Sequence, residues 1–534
     1  MPLKRRQFLK QCGVYGTGAW IASRGGFALA ETGNPVRKFH ASISIEAFKN
    51  DPGLSQIVKE AGVSDVWLAC FFQGQFHHSI EEVTQWRDRL RASGLGVHNI
   101  TIPLGHPSFS ENVPDYMPDV SAKTWKQGVR PDGRKHYGVA LHEGITESNV
   151  EAVRQIKTTD PGIIFLDDDF RLAPSPDDIG GCFCEEHKQA FIARHGLGDK
   201  DWSALIETVN GRVLNDLSTL WVEDQCEALS ACFRAQQEAA LPEAQLGIMV
   251  MYLGCEKAGI RLSDYSGVPF RVGELMFSDK SFAPLKGKTN ELFSSLFHRR
   301  FASPENAFSE TTAWPPDSLS APNMAAKLVI TTISDVRNTM FMSGNTPFPR
   351  THWEVLAPAM EKNAAHHVAL AGHSPQGPLK HYWGKASRYV GDANPYSLFL
   401  ALGVPFQVVE EIPEDGWTFL SDSDAIHLAG GGLAGKGSNL VYRPESEVEI
   451  SEGQAVKEDL KELFAWRKEI LPEMSETPYV EEEEPAVCAW YPSAHAVLLW
   501  NPTEEEKNFT LRYGQDRRPV RLGPLDFTVL TEIG

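Results

Sequence analysis

Three consecutive carboxylates, Asp167, Asp168 and Asp169, follow the apolar run Ile163-Ile164-Phe165-Leu166 and precede Phe170-Arg171. Adjacent acids at a strand end repel one another unless a cation, a metal or a shared proton stands between them, and that repulsion raises one toward the range of a general acid. Alternation along an extended chain sends Asp167 and Asp169 to one side and Asp168 to the other. Asp169 then lies furthest out, and Asp167 can orient a neighbour through Arg171. A second acid, Glu310, closes the run Ala307-Phe308-Ser309 and is followed by Thr311-Thr312-Ala313-Trp314. Two carboxylates across a cleft are the minimum machinery for cleaving a glycosidic bond: one protonates the leaving oxygen, and the other attacks the anomeric carbon or activates water. Trp314 offers a broad apolar face to a sugar ring. The competing readings are an acidic loop capped by Asp167 and a surface acid beside a structural tryptophan. Glu274 and Asp279 are the substitutes for Glu310.

Other polar residues sit beside apolar runs. His98 and His106 flank the exit of a third run, and His142-Glu143 follows Val139-Ala140-Leu141, where it could hold sugar hydroxyls by charge-assisted hydrogen bonds. Tyr252 and Glu256 follow a fifth run. Arg299-Arg300 reads either as a solvated helix pair or as recognition of an acidic sugar. In Gly181-Cys182-Phe183-Cys184-Glu185-Glu186-His187, the two thiols and His187 are suited to a tetrahedral structural metal such as zinc, which needs a fourth ligand from a distant loop. The other reading is a packed loop.

These residues need a scaffold that gathers strand ends. Short β-rich runs recur at 40–45, 65–72, 96–102, 162–166, 246–252, 270–277, 306–309 and 338–343, with helical stretches such as 80–91, 202–239 and 321–336 between them. Eight such units predict a (β/α)8 barrel over 36–350, whose active site lies at the C-terminal ends of the strands. A doubly wound sheet is the rival, but no glycine-rich phosphate loop follows an early strand. Apolar runs at 366–370, 398–402, 406–409, 425–428 and 440–442 suggest a smaller α/β domain over 351–450. A helical linker and a small antiparallel β domain complete the chain over 451–534.

The chain has 534 residues, with 51 Lys and Arg against 70 Asp and Glu, so its formal charge of −19 opposes broad attraction to nucleic acid or an anionic membrane. A neutral or weakly charged substrate fits better. Eight cysteines in so long a chain make no disulfide framework. Lys4-Arg5-Arg6-Gln7-Phe8-Leu9-Lys10, a mild apolar stretch and Ala28-Leu29-Ala30 resemble a twin-arginine export signal over 1–30. That resemblance implies the twin-arginine machinery as a partner and a periplasmic or secreted mature protein. No later run is long enough for a stable membrane span.

The order of barrel, α/β domain and small β domain resembles the family 42 β-galactosidases and their relatives in the largest retaining glycosidase clan. The resemblance implies a glutamine-amidotransferase-like middle domain, a retaining double displacement and often trimers. Family members carry Asp-Asn-Glu after strand four. Asp167-Asp168-Asp169 stands there, which places Asp169 as acid/base, and Glu310 matches the nucleophile after strand seven. Asp168 replaces the Asn that contacts the sugar and Asp169 is shorter than the usual Glu, and both departures put β-galactoside specificity in question. Relatives can also bind a structural zinc through Cys-x-Cys-x-x-Cys at this point, with His187 here in the third place. The middle domain has no cysteine between Thr351 and Val487, which excludes thiol amidotransfer there. Two other functions remain: metal-assisted hydrolysis at Asp167–Asp169 with His98 or His142 as ligands, and noncatalytic periplasmic carbohydrate binding.

Overall fold

The computed structural model describes residues 37–533 apart from 73, 105–125, 168–169, 273–277, 345, 432–438, 452 and 475. The export-signal expectation, His106, Asp168, Asp169 and Glu274 therefore lie outside the described residues. Eight strands, β1 (Lys38–Ser42), β2 (Asp65–Phe72), β3 (Gly96–Ile102), β4 (Ile163–Leu166), β5 (Gln245–Val250), β6 (Phe270–Val272), β7 (Ala307–Thr312) and β8 (Asn338–Met342), pair in parallel in sequence order. β1 also pairs with both β2 and β8, so the sheet closes into a barrel. The strands are short, strongly apolar runs because both faces are buried, one against side chains of the interior and one against helices.

Trp67, Ala69, Ile100, Phe165, Phe308, Met340 and Met342 form a separate apolar cluster inside the barrel. Gly247 on β5 makes room for it, since a Cβ there would stand 2.5 Å from the Phe165 ring. Helices cover the outside, including Ile80–Ala92, Ile145–Ile156, Leu285–His298, Ala321–Ile333 and Arg350–His367. Between β5 and β6 the chain has only two short 3-10 turns, Glu256–Ala258 and Leu262–Tyr265. The long helical stretch expected at 202–239 is two helices, Asp199–Asn210 and Asp216–Ala240, because Gly211 ends the first and Asn215 caps the second through the Leu217 and Ser218 amides.

A five-stranded parallel sheet follows: β9 (Leu379–Tyr382), β10 (Phe406–Val409), β11 (Trp417–Leu420), β12 (Asn439–Tyr442) and β13 (Gly453–Ala455), in the order β10-β9-β11-β12-β13. Three of the apolar runs expected here are not strands. His366 and His367 end helix Arg350–His367, Leu398–Ala401 is a 3-10 turn, and 425–428 lies in helix Asp422–Ala429. Two three-stranded antiparallel sheets, built from segments between Tyr479 and Thr531, complete the fold.

The α/β sheet is fastened to the barrel by buried charge. Arg388 donates from Nε to Glu256 Oε2 at 2.9 Å and from Nη2 to Oε1, and Lys257 Nζ donates to the Gly391 carbonyl at 2.6 Å. Among the described residues, no helix is long and apolar enough to cross a membrane.

Candidate active site

Alternation on β4 and β7 decides which acids enter the barrel. Phe165 and Phe308 belong to the interior cluster, so Asp167 and Glu310, two residues further on, share their inward face toward the C-terminal mouth. Glu310 is buried, only 3% exposed. Thr312, next on the same face, donates its hydroxyl to Glu310 Oε1, and Lys327 Nζ reaches the Glu310 carbonyl at 3.2 Å. Asp167 is also buried.

A residue that sequence reasoning passed over joins them. Arg271, the middle residue of β6, is fully buried inside the barrel. Its Nη2 donates to Asp167 Oδ1, and its Nε lies 3.4 Å from Glu310 Oε2. The guanidinium packs among the Met249, Met340 and Met342 thioethers, and its carbon lies 5.4 Å from the Phe165 ring centroid. The signal was present as a lone charge in the apolar run Phe270-Arg271-Val272, because a buried arginine must meet acids.

Trp314 leaves β7 at the mouth and is 52% exposed, among the largest exposed apolar surfaces of the described residues. Its ring edge approaches Gly344, just past β8, where an added Cβ would lie 3.9 Å from the ring. Asp167 is thus held by Arg271, and Arg171 donates its Nε–H to the Ala173 carbonyl at 3.0 Å.

Several expected site residues lie elsewhere. His98 belongs to the entry half of β3 rather than its exit. Its Nε2 donates to Asp65 Oδ1 at 3.1 Å, at the first residue of β2, and its Nδ1 accepts the Ile163 amide at 3.2 Å. Both ring nitrogens are thereby used at the N-terminal end of the barrel. His40 lies beside them, and burial pushes its pKa down to about 4 against the pull of Asp65. Tyr252 is packed in the outer core, and burial raises its phenol well above the ordinary value. Glu143 is exposed before helix Ile145–Ile156, and Glu256 is bound by Arg388. Asp279 accepts from the Ser320 and Asn323 side chains, and Arg299 and Arg300 bind Asp335 and Glu410.

His142 joins a different group. Ligand atoms of His142, Cys182, Cys184 and His187 all lie within 4.8 Å of one another. His142 supplies the distant fourth donor that the Cys182-x-Cys184-x-x-His187 spacing needs. Its Nδ1–H donates to Glu186 Oε2 at 3.1 Å, which leaves Nε2 with a lone pair. The Nε2–H of His187 donates to the Leu141 carbonyl at 3.4 Å, and its Nδ1 faces Cys184 Sγ at 3.1 Å. A hydrogen bond from Cys182, aided by His187, pulls the Cys184 thiol down to about 3, and the same bond together with burial pushes Cys182 up. Two thiols and two imidazoles, each imidazole steadied through its other nitrogen, have the donor chemistry and outer hydrogen bonds of a tetrahedral zinc site. Cys182 and His187 also line a cavity of about 210 Å³ with Arg171, Arg194, Trp221 and Asp224.

No family model matches the chain, and no curated protein sequence matches it. Among solved structures, the chain is similar to alpha-L-fucosidase isoenzyme 2 from Paenibacillus thiaminolyticus at 12% identity and TM-score 0.49, over 91% of this chain and 74% of that one. It is similar to the exo-beta-1,4-mannosidase Op5Man5 from Opitutaceae bacterium strain TAV5 at 11% identity and TM-score 0.44, over 92% and 91% of the two chains. Likeness at this level leaves the reading of the site to its own geometry.

Proposed function

We propose that the chain is a glycoside hydrolase that cleaves terminal glycosidic bonds by a retaining double displacement, with Glu310 as nucleophile and Asp169 as acid/base. The observation that carries this reading is the inward carboxylate of Glu310. It is buried in the barrel, fixed by Thr312 on one oxygen and beside the Arg271 guanidinium on the other. A carboxylate held in one orientation next to a fixed cation is kept aimed, as attack on an anomeric carbon requires. Asp169 takes the acid/base place through the resemblance of Asp167-Asp168-Asp169 to the family's Asp-Asn-Glu after strand four. In the first step Glu310 bonds to the anomeric carbon while Asp169 gives its proton to the leaving oxygen. In the second, Asp169 takes a proton from water, which displaces Glu310. Trp314 is suited to carry the sugar ring at the rim.

A zinc ion would be held by His142, Cys182, Cys184 and His187, all protein ligands with no position for substrate, so it would brace the segment after β4. The metal-assisted reading is weakened because His98 and His142 have partners elsewhere. Export through the twin-arginine machinery and assembly into trimers belong to the same proposal. The test is turnover of a panel of aryl glycosides and natural oligosaccharides by the purified mature protein, with Asp169→Asn and Glu310→Gln alongside. Turnover lost in both folded variants supports the pair. Turnover that survives both overturns it, and saturable sugar binding without turnover that is indifferent to Glu310→Gln favours a binding protein.

A further inference from the structure

A guanidinium without access to water is costly unless acids meet it. Arg271 is such a group: fully buried, lined by three methionine sulfurs and the Phe165 face, and in reach of one carboxylate from β4 and one from β7. The three acceptor sulfurs carry no charge and cannot compensate it. Among the described residues its two carboxylate contacts leave from different corners of the planar fork, Nη2 toward Asp167 and Nε toward Glu310, so one side chain ties together acids from two strands.

We propose that Arg271 is a positioning residue that sets the charge and aim of Glu310 by clamping it against Asp167 inside the barrel. The proposal rests on the reading of Glu310 as nucleophile, and its electrostatic part can be measured without any substrate. The clamp also assigns Asp167 a role: it neutralises the guanidinium and anchors its far end, while Nε remains toward Glu310. A lysine would keep the charge but present a single point rather than two directed donors.

The test uses the full-length mature chain with Arg271→Met, Arg271→Lys and the double variant Arg271→Met/Glu310→Gln. Methionine resembles the side chains already around the site, so the barrel is expected to keep its circular dichroism. Without the cation, both acids stay buried with no guanidinium between them, and burial with like charge favours a proton on one that the unfolded chain does not hold. The folded variant then binds more protons than the unfolded one, and its stability falls as pH rises. The expected result is a melting temperature of Arg271→Met that declines from pH 5 to pH 8 relative to wild type, with the decline largely removed in the double variant. On the best glycoside, Arg271→Met is expected to lose about 10²-fold or more in kcat, the scale of one preorganised electrostatic contact, with KM little changed. Arg271→Lys should retain the wild-type pH–stability profile yet still lose kcat, which separates charge from aim. A pH–stability profile of Arg271→Met parallel to wild type, or full kcat in Arg271→Lys, overturns the proposal. If wild type turns over no glycoside while the pH signature and its suppression in the double variant are present, the clamp stands and the hydrolase reading falls.

Discussion

Substitution of Arg388 by methionine tests how the α/β sheet is held to the barrel. Glu256 is 1% exposed, and burial raises its pKa even though Arg388 opposes the shift. Removing the guanidinium leaves that carboxylate buried without its partner, and breaking a buried pair from one side costs about 3–5 kcal/mol. The roughly 500 residues from Pro35 onward form one compact unit, whose unfolding entropy at about 2.1 cal/mol/K per residue is close to 1 kcal/mol/K. A unit that melts together should therefore lose about 3–5 °C. A larger loss, confined to an early transition, would show that the α/β sheet melts first. The sign with pH follows from Glu256: a carboxyl raised above its unfolded value favours the folded state at low pH and loses that contribution as pH rises. Arg388→Met should thus be most destabilised near pH 8 and least near pH 5, and Arg388→Met/Glu256→Gln should recover most of the loss. Differential scanning calorimetry at the two pH values checks this. Equal destabilisation at both, with no recovery in the double variant, would refute the reasoning and assign the effect to lost packing.

Three further outcomes are expected. Protein purified without chelator should carry about one zinc per chain by elemental analysis. His142→Ala or Cys184→Ser should lower that content together, and metal retention should weaken as pH falls because protons compete for thiolate and imidazole. Trp314→Ala should leave the melting temperature within about 1 °C, because the ring is half exposed, but raise KM about threefold to tenfold with kcat little changed, as steady-state kinetics would show. Burial raises the Asp65 pKa, but the hydrogen bond from His98 leads the interactions that outweigh it and hold the carboxyl well below its ordinary range. Its contribution is therefore present above about pH 4 and lost as pH falls, so Asp65→Asn should cost about 1–3 kcal/mol at pH 7 in urea unfolding, less toward pH 3, without altering KM.

The barrel was legible because parallel strands buried on both faces read as bare apolar runs: β2 and β3 occupy the bounds expected of them. Periodicity could not separate strand from helix in the α/β region, where Asp422–Ala429 is as apolar as a short strand, while Leu379–Tyr382, with Lys380 and His381, does not look like one. Glu310 was legible as an acid beside an apolar run, and its inward face is set by the interior position of Phe308 two residues before it. His98 was misplaced because the same alternation puts an inward residue at either end of a strand, and only the pairing with Asp65 fixes which. The link between His142 and Cys182 spans 40 positions and is made by tertiary packing, which local spacing does not encode. Arg271 was hidden for the same reason, since both its acids come from other strands.

The most direct test of the central claim is to trap the covalent intermediate. Wild-type protein would be incubated with a slow, activated 2-fluoro glycoside of whichever sugar the panel identifies, then digested and the labelled peptide sequenced by mass spectrometry. The account predicts a single glycosyl adduct on Glu310, absent from Glu310→Gln. An adduct on another carboxylate, or turnover with inverted product and no adduct, would contradict it.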